Sequence, residues 1–203
     1  MSGGADFLHG ILHDALVLFA MVNVVGNLPL FLDLTSEMEA KDRGRTFRTG
    51  VTVAAGIVIG FAFLGDWMLR SVFEVSTDAF KIAGGVLVFT VAAKGMLQGV
   101  RSSNPFSSGP TENLGVFPIG FPFLAGPGTI VTTILLMQAG GSLKTALAAL
   151  LVYLAVLPVL YTSPLIEKAV GRMSAGVVTR ILYIFIAAKA VTFILTGLKP
   201  FMG

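Results

Sequence analysis

A short polar segment interrupts the first long apolar stretch of the chain. Residues 23–29 read NVVGNLP and contain Asn23, Gly26, Asn27 and Pro29. Gly26 loosens a helix, and Pro29 cannot donate a backbone hydrogen bond to it. The amide side chains of Asn23 and Asn27 can bind the backbone groups that such a break frees. We also expect Asn27 to cap a new helix that has Pro29 in its first turn.

A second segment of the same character lies in the other half of the chain. Its candidate ligand-binding residues are Pro122, Gly126, Pro127, Gly128, Thr129 and Thr132. Gly126 suits a helix cap, Pro127 suits the first turn, and Gly128 lets a ligand approach the backbone. The start of a helix offers N–H donors and partial positive charge to an anionic group, and the end of the preceding segment offers carbonyls to a cation.

A small amino acid carries both kinds of group. We therefore expect N–H groups around residues 27–29 and 126–129 to hold its carboxylate, and Asn23, Thr129 and nearby carbonyls to take its ammonium group. The alternative is that both segments are only kinks for packing, since proline and glycine are common in membrane helices. Two such interruptions at matching positions of two halves favour a transporter's central site.

Charged residues inside apolar stretches form the second set of candidates. They are Lys189, Lys94, Asp66 and Asp14. A charge within a membrane is costly unless it is paired or hydrated, so each is a candidate for ion coupling, with interfacial snorkelling as the alternative. Asp66 is the acid best placed to meet these lysines. The two histidines, His9 and His13, lie one turn apart without a third ligand, so we expect no metal site.

The composition excludes most soluble proteins. Of 203 residues, 55% are hydrophobic and only 12% are charged, with a mean hydropathy of +0.87. A soluble domain carries about 25% charged residues. This rules out an ordinary soluble enzyme, a disordered chain and a nucleic-acid binder. The absence of cysteine excludes disulfides and thiolate metal sites, and nothing predicts a cofactor.

The apolar stretches predict an all-α, polytopic membrane protein with six transmembrane helices. The predicted spans are residues 11–34, 51–69, 79–99, 114–137, 143–163 and 178–198. The polar residues 101–113 divide one transmembrane domain, residues 1–203, into halves 1–100 and 114–203. Three spans in each half imply an inverted repeat, with broken first and fourth helices. Glycine pairs such as Gly56 and Gly60, or Gly84 and Gly85, predict close helix packing.

Three stretches of the sequence together resemble the MarC family of bacterial integral membrane proteins. They are residues 23–34 (NVVGNLPLFLDL), 80–85 (FKIAGG) and 117–129 (FPIGFPFLAGPGT). The likeness covers nearly the whole chain in order. The family usually has Asn-Pro where this chain has Asn23-Val24. The resemblance implies a six-span inner-membrane protein, grouped with amino-acid exporters of the LysE type, with small neutral amino acids as substrates suggested for some members.

We interpret the sequence as an inner-membrane secondary transporter of a small solute, most simply a small neutral amino acid, and not as an enzyme. Its expected partners are the lipid bilayer, the solute, a coupling proton or sodium ion and further copies of the chain, but not nucleic acid. Eight of the basic residues flank one side and four the other, which predicts outward-facing termini. A non-transport scaffold or accessory protein is the alternative.

Overall fold

The computed structural model describes residues 2–98, 114–163, 165 and 172–202, and every regular element within them is a helix. The α-helices are α1 Ser2–Val22, α2 Val24–Leu34, α3 Ala40–Trp67, α4 Thr77–Gln98, α5 Pro127–Gly140, α6 Ser142–Tyr161 and α7 Arg172–Met202. Met68–Val72 continues α3 as a π-helical turn. Gly115–Leu124, called the π segment below, precedes α5. The predicted connection 101–113 lies outside the described residues.

Long apolar helices confirm the predicted class of all-α membrane protein. Within the described residues, four helices are long and apolar enough to cross a bilayer: Gly4–Leu28, Ala40–Val72, Ser142–Tyr161 and Tyr183–Phe201. The π segment and α5 together form a fifth candidate, which is bent by 56°. Helix α4, of 22 residues, coincides with the predicted third span as far as Gln98. Many large apolar side chains point outward, including Leu16 and Phe185, as lipid-facing residues do.

The interior is built around three groups of buried side chains. The largest joins α1, α2, α3, α6 and the π segment, and contains Leu18, Phe31, Phe47, Ile119 and Tyr153. A second group lies between α4 and α7, and a third between the end of α3 and α5. Helix α5, which carries the second candidate segment, contacts helices of both larger groups: α1, α3 and α6 of the first, and α4 of the second.

Glycine packing follows the prediction at Gly84 and Gly85; a methyl group on Gly85 would lie 2.8 Å from Ala190 O of α7. A methyl group on Gly84 would lie 2.6 Å from Val131 of α5, so this glycine lets α4 and α5 approach closely. Gly56 and Gly60 of α3 have nothing within 4 Å of the equivalent position. The predicted packing role of Gly56 and Gly60 is wrong, because their face of α3 is open.

Candidate functional site

The first interruption falls on a single residue, Asn23, between α1 and α2. Asn23 has a φ of 49°, a left-handed conformation that asparagine tolerates better than most residues. Asn23 N–H donates to Phe19 O at 3.2 Å and Asn27 N–H donates to Asn23 O at 3.1 Å, so Asn23 closes the last turn of α1 and opens the first turn of α2. This interruption, called the first break below, leaves Gly4–Leu28 as one continuous candidate span.

The predicted helix start at Asn27 is wrong. Helix α2 begins at Val24, so Gly26, Asn27 and Pro29 all lie inside it. The backbone N–H of Asn27 already has an acceptor, and Pro29 has none to offer. The first break therefore cannot supply the N–H groups of residues 27–29 to a carboxylate. Its contribution is the side chain of Asn23.

Gly26 makes room for that side chain. A methyl group on Gly26 would lie 2.5 Å from Asn23 Oδ1 and 2.6 Å from Nδ2. The amide of Asn23 thus lies directly against the backbone of the next helical turn. Asn23 is buried, with 6% of its surface exposed, whereas Asn27 is half-buried.

The second break is a true change of direction. The π segment has extended backbone at Phe117 and Phe121, each followed by a cis bond to proline, at Pro118 and Pro122. The chain then bends by 56° into α5. Gly126 is the helix cap, with extended φ and ψ of −76° and 170°, and Pro127 occupies the first turn. Residues 124–127, called the second break below, confirm the predicted cap and first-turn proline.

The start of α5 presents free backbone donors. The first backbone bond of the helix runs from Ile130 N–H to Gly126 O, at 3.0 Å. The N–H groups of Gly128 and Thr129 precede it and have no acceptor within the helix. Pro127 carries no N–H. Two donors at the positive end of a helix dipole suit an anionic group.

Close contacts fix the second break in position. A methyl group on Gly126 would lie 2.6 Å from Pro122 O, so only glycine fits this bend. Tyr153 of α6 donates from its hydroxyl to Leu124 O at 2.9 Å. Gly128 is also a packing residue, because a methyl group there would lie 3.2 Å from Val88 of α4. The sequence reasoning missed Tyr153, whose only signal in the sequence is a hydroxyl within an otherwise apolar stretch.

Three buried oxygens at the two breaks have no hydrogen-bond partner among the described residues. They are Asn23 Oδ1, Thr129 Oγ1 and Thr132 Oγ1. Thr129 and Thr132 are each only 1% exposed. A buried helical threonine ordinarily donates to the carbonyl one turn earlier, and Thr133 does so, to Thr129 O at 2.7 Å. The unpaired hydroxyls of Thr129 and Thr132 therefore distinguish these two residues from Thr133 and make them candidates for binding a polar ligand.

The packing brings both breaks to the same part of the helix bundle. Helix α1 contacts α5, and α2 contacts the π segment. The rings of Phe31 and Phe123 meet edge to face, with centroids 6.1 Å apart. Neither residues 22–29 nor residues 114–133 contain an ionisable side chain. The two breaks thus offer backbone donors, hydroxyls and one amide, but contribute no formal charge.

An ion pair between a half-buried lysine and a buried aspartate joins α1 to α6. Lys144 Nζ lies 2.9 Å from Asp14 Oδ2, with the two side chains 21% and 4% exposed. His13 Nδ1 lies 3.2 Å from the other oxygen of Asp14. The lysine stem passes Gly10 and lies against Gly140. Lys144 is one of the four basic residues that the sequence places on the outward side, and a partner 130 residues away leaves no local signal.

The other three charged candidates lie apart from this pair. Asp66 contacts Arg70 at 2.9 Å and Gln138 at 3.0 Å rather than a lysine of another span. Lys94 is exposed on α4. Lys189 is half-buried, and its ammonium lies 5.6 Å from the ring centroid of Phe193. Within the described residues, no three His, Asp or Glu side chains gather into a group that could hold a metal.

Apolar spans and a sharply bent span capped by glycine and proline define an integral membrane protein with an interrupted helical interior. Residues 8–202 match the family described as MarC family integral membrane protein. The chain belongs to the MarC family.

Relatives of similar length occur in bacteria and archaea. The UPF0056 membrane protein YhcE of Escherichia coli is 34% identical, over 90% of this chain and 88% of its own length. A UPF0056 membrane protein of Archaeoglobus fulgidus is 32% identical, over 96% of this chain and 94% of its own. YvbG of Bacillus subtilis, also a UPF0056 membrane protein, is 29% identical, over 93% and 94%. No solved structure matches the chain.

Proposed function

We propose that this protein is a secondary transporter that binds a small neutral amino acid between the two breaks. The observation that carries the proposal is the set of three buried, unpartnered oxygens, together with the free N–H groups at the start of α5. The oxygens are Asn23 Oδ1, Thr129 Oγ1 and Thr132 Oγ1. An unpaired buried polar group costs about 1–3 kcal/mol. A ligand that forms hydrogen bonds with all three oxygens therefore removes this free-energy cost three times over.

The chemistry of the groups favours a zwitterion. The N–H groups of Gly128 and Thr129 suit a carboxylate at the positive end of α5. Asn23 Oδ1 and the threonine hydroxyls can accept hydrogen bonds from an ammonium group. Because neither break contributes a formal charge, a ligand whose two charges cancel fits better than a net anion or cation.

We further propose six spans in two inverted halves, in a bacterial inner membrane, with both termini facing outward. The distribution of basic residues supports the orientation. The Asp14–Lys144 pair links α1 of the first proposed half to α6 of the second. Rocking of one half against the other would have to separate or reorient this pair, which makes Asp14 the favoured group for proton or sodium coupling.

Transport is tested by counterflow of radiolabelled alanine into proteoliposomes that are preloaded with unlabelled alanine. Wild-type protein is expected to show counterflow. Gly126→Leu is expected to abolish it, because the added side chain meets Pro122 O at the bend. Gly56→Leu is the matched control, since that glycine faces open space on α3. Absence of counterflow for every small neutral amino acid, with and without a proton gradient, would instead favour a membrane scaffold.

A further inference from the structure

A basic cleft lies at the N-terminal end of α3, away from the two breaks. Its volume is about 790 Å³, and its basic residues are Lys41, Arg45 and Arg48. The other lining residues include Thr49, Thr52 and one acid, Asp42. The three bases follow at intervals of four and three residues, so they form one stripe on a single helix face.

The bases of the cleft are free to bind an anion. Lys41, Arg45 and Arg48 are exposed, and none forms an ion pair within the part of the chain that the structure describes. Arg43, by contrast, donates to Thr35 O at the end of α2, at 3.1 and 3.3 Å. Arg43 is half-buried, and its guanidinium already has a hydrogen-bond acceptor in Thr35 O. The basic cleft thus keeps two more positive charges than negative ones.

Tyr161 forms a wall of the basic cleft. Its hydroxyl donates to Gly44 O at 3.2 Å, and a methyl group on Gly44 would lie 3.0 Å from its ring. The end of α6 is therefore fastened to the start of α3. A rigid aromatic wall beside threonine hydroxyls and two guanidinium groups is an arrangement that suits a phosphate ester with attached apolar chains.

The position of the cleft relative to the hydrocarbon core of the membrane follows from the length of α3. The candidate span Ala40–Val72 has 33 residues and measures about 50 Å, whereas the hydrocarbon core is about 30 Å thick. The uncharged residues 49–65 cover about 25 Å of it. Arg48 then lies at the edge of the hydrocarbon, and Arg45 and Lys41 lie about 5 and 10 Å further out. This is the level of lipid headgroups.

From this position and chemistry we infer that the basic cleft binds the headgroup phosphate of an anionic phospholipid. The lipid's acyl chains run along the uncharged part of α3, where Gly56 and Gly60 leave its surface open. Basic pockets between transmembrane helices are known sites for such headgroups. The inference is independent of what the two breaks carry.

Native mass spectrometry of the full chain in detergent tests the inference. The protein is titrated with phosphatidylglycerol and, separately, with phosphatidylcholine of the same acyl chains. Wild-type protein is expected to bind the anionic lipid at least tenfold more tightly. Arg45→Gln/Arg48→Gln is expected to weaken that binding about thirtyfold. Arg180→Gln/Lys199→Gln removes the same charge from exposed positions outside the cleft and is expected to leave it unchanged.

Three results would overturn the inference. The first is equal affinity for the two lipids, and the second is an equal loss of affinity in both double variants. The third is displacement of bound phosphatidylglycerol by millimolar inorganic phosphate, which would assign the cleft to free phosphate. If the first double variant does not fold, Arg45→Gln and Arg48→Gln are measured singly, each with an expected loss of about fivefold.

Discussion

The three threonines at the start of α5 separate a ligand-binding role from a structural one. Thr132 is buried and its hydroxyl has no partner among the described residues, whereas the hydroxyl of its neighbour Thr133 donates to Thr129 O at 2.7 Å. Valine has the shape of threonine and a similar helix propensity, so Thr→Val removes little except the hydroxyl. The two substitutions should therefore have opposite effects on stability.

Thr132→Val removes an unsatisfied buried group, which costs about 1–3 kcal/mol in the empty protein. We expect the variant to be more stable by about 1 kcal/mol, which raises the thermal midpoint by about 2–4 °C for a chain of this size. Thr133→Val removes a satisfied hydroxyl and should lower stability by about 0.5–1 kcal/mol. Thermal unfolding of both purified variants in the same detergent measures this difference.

Substrate binding should change in the other direction. A hydrogen bond to a charged ligand group contributes about 1.5–3 kcal/mol, so Thr132→Val should weaken amino-acid binding about ten- to a hundredfold. Thr133→Val should leave it unchanged. Isothermal titration with alanine, or the concentration dependence of counterflow, gives the affinity. If Thr132→Val destabilises the protein as Thr133→Val does, or keeps full affinity, the unpaired hydroxyl is not part of a site.

Other substitutions probe the first break and the ion pair between Asp14 and Lys144. Asp14→Asn leaves the ammonium of Lys144 without its partner and should cost about 3 kcal/mol of unfolding free energy, most of which Asp14→Leu/Lys144→Met should restore in a double-mutant cycle. Asn23→Gly tolerates the positive φ, so this variant should fold but lose substrate affinity. Asn23→Ala should lose the same affinity and also about 1–2 kcal/mol of unfolding free energy. Equal affinity in both variants and the wild type would show that the amide does not bind substrate. Gly26→Ala should push the Asn23 side chain aside and abolish transport, which counterflow measures. Gly56→Ala adds its methyl group in open space and should stabilise α3 by up to about 1 kcal/mol, which thermal unfolding measures.

The second break could be predicted from sequence because its chemistry is local. Glycine as a cap and proline in the first turn both depend on backbone geometry within four residues, and Gly126 and Pro127 occur in that order at the start of α5. The same reasoning misplaced the first break. Proline shows that a helix is disturbed somewhere before it, but Asn23 takes the positive φ six residues before Pro29.

Contacts between distant helices could not be predicted from a single sequence. Asp14 is recognisable as an unusual acid within an apolar helix, but nothing near it in the chain indicates Lys144. Tyr153 and Gln138 are likewise ordinary residues until the fold brings them to Leu124 O and Asp66. Glycine spacing was equally ambiguous: Gly84 meets a neighbouring helix and Gly56 does not, although both occur in apolar helices.

The two breaks differ in the groups that they expose, and this difference constrains the proposed site. The second break offers backbone N–H donors at Gly128 and Thr129, because Gly126 starts a new helix there. The first break offers the acceptor Asn23 Oδ1, which is buried and has no hydrogen-bond partner among the described residues. A zwitterion held between them would bind in one orientation, with its carboxylate toward α5. Two inverted halves would then expose the same asymmetric site first to one side of the membrane and then to the other. The halves would move in this exchange, and the bound amino acid would keep its orientation relative to α5.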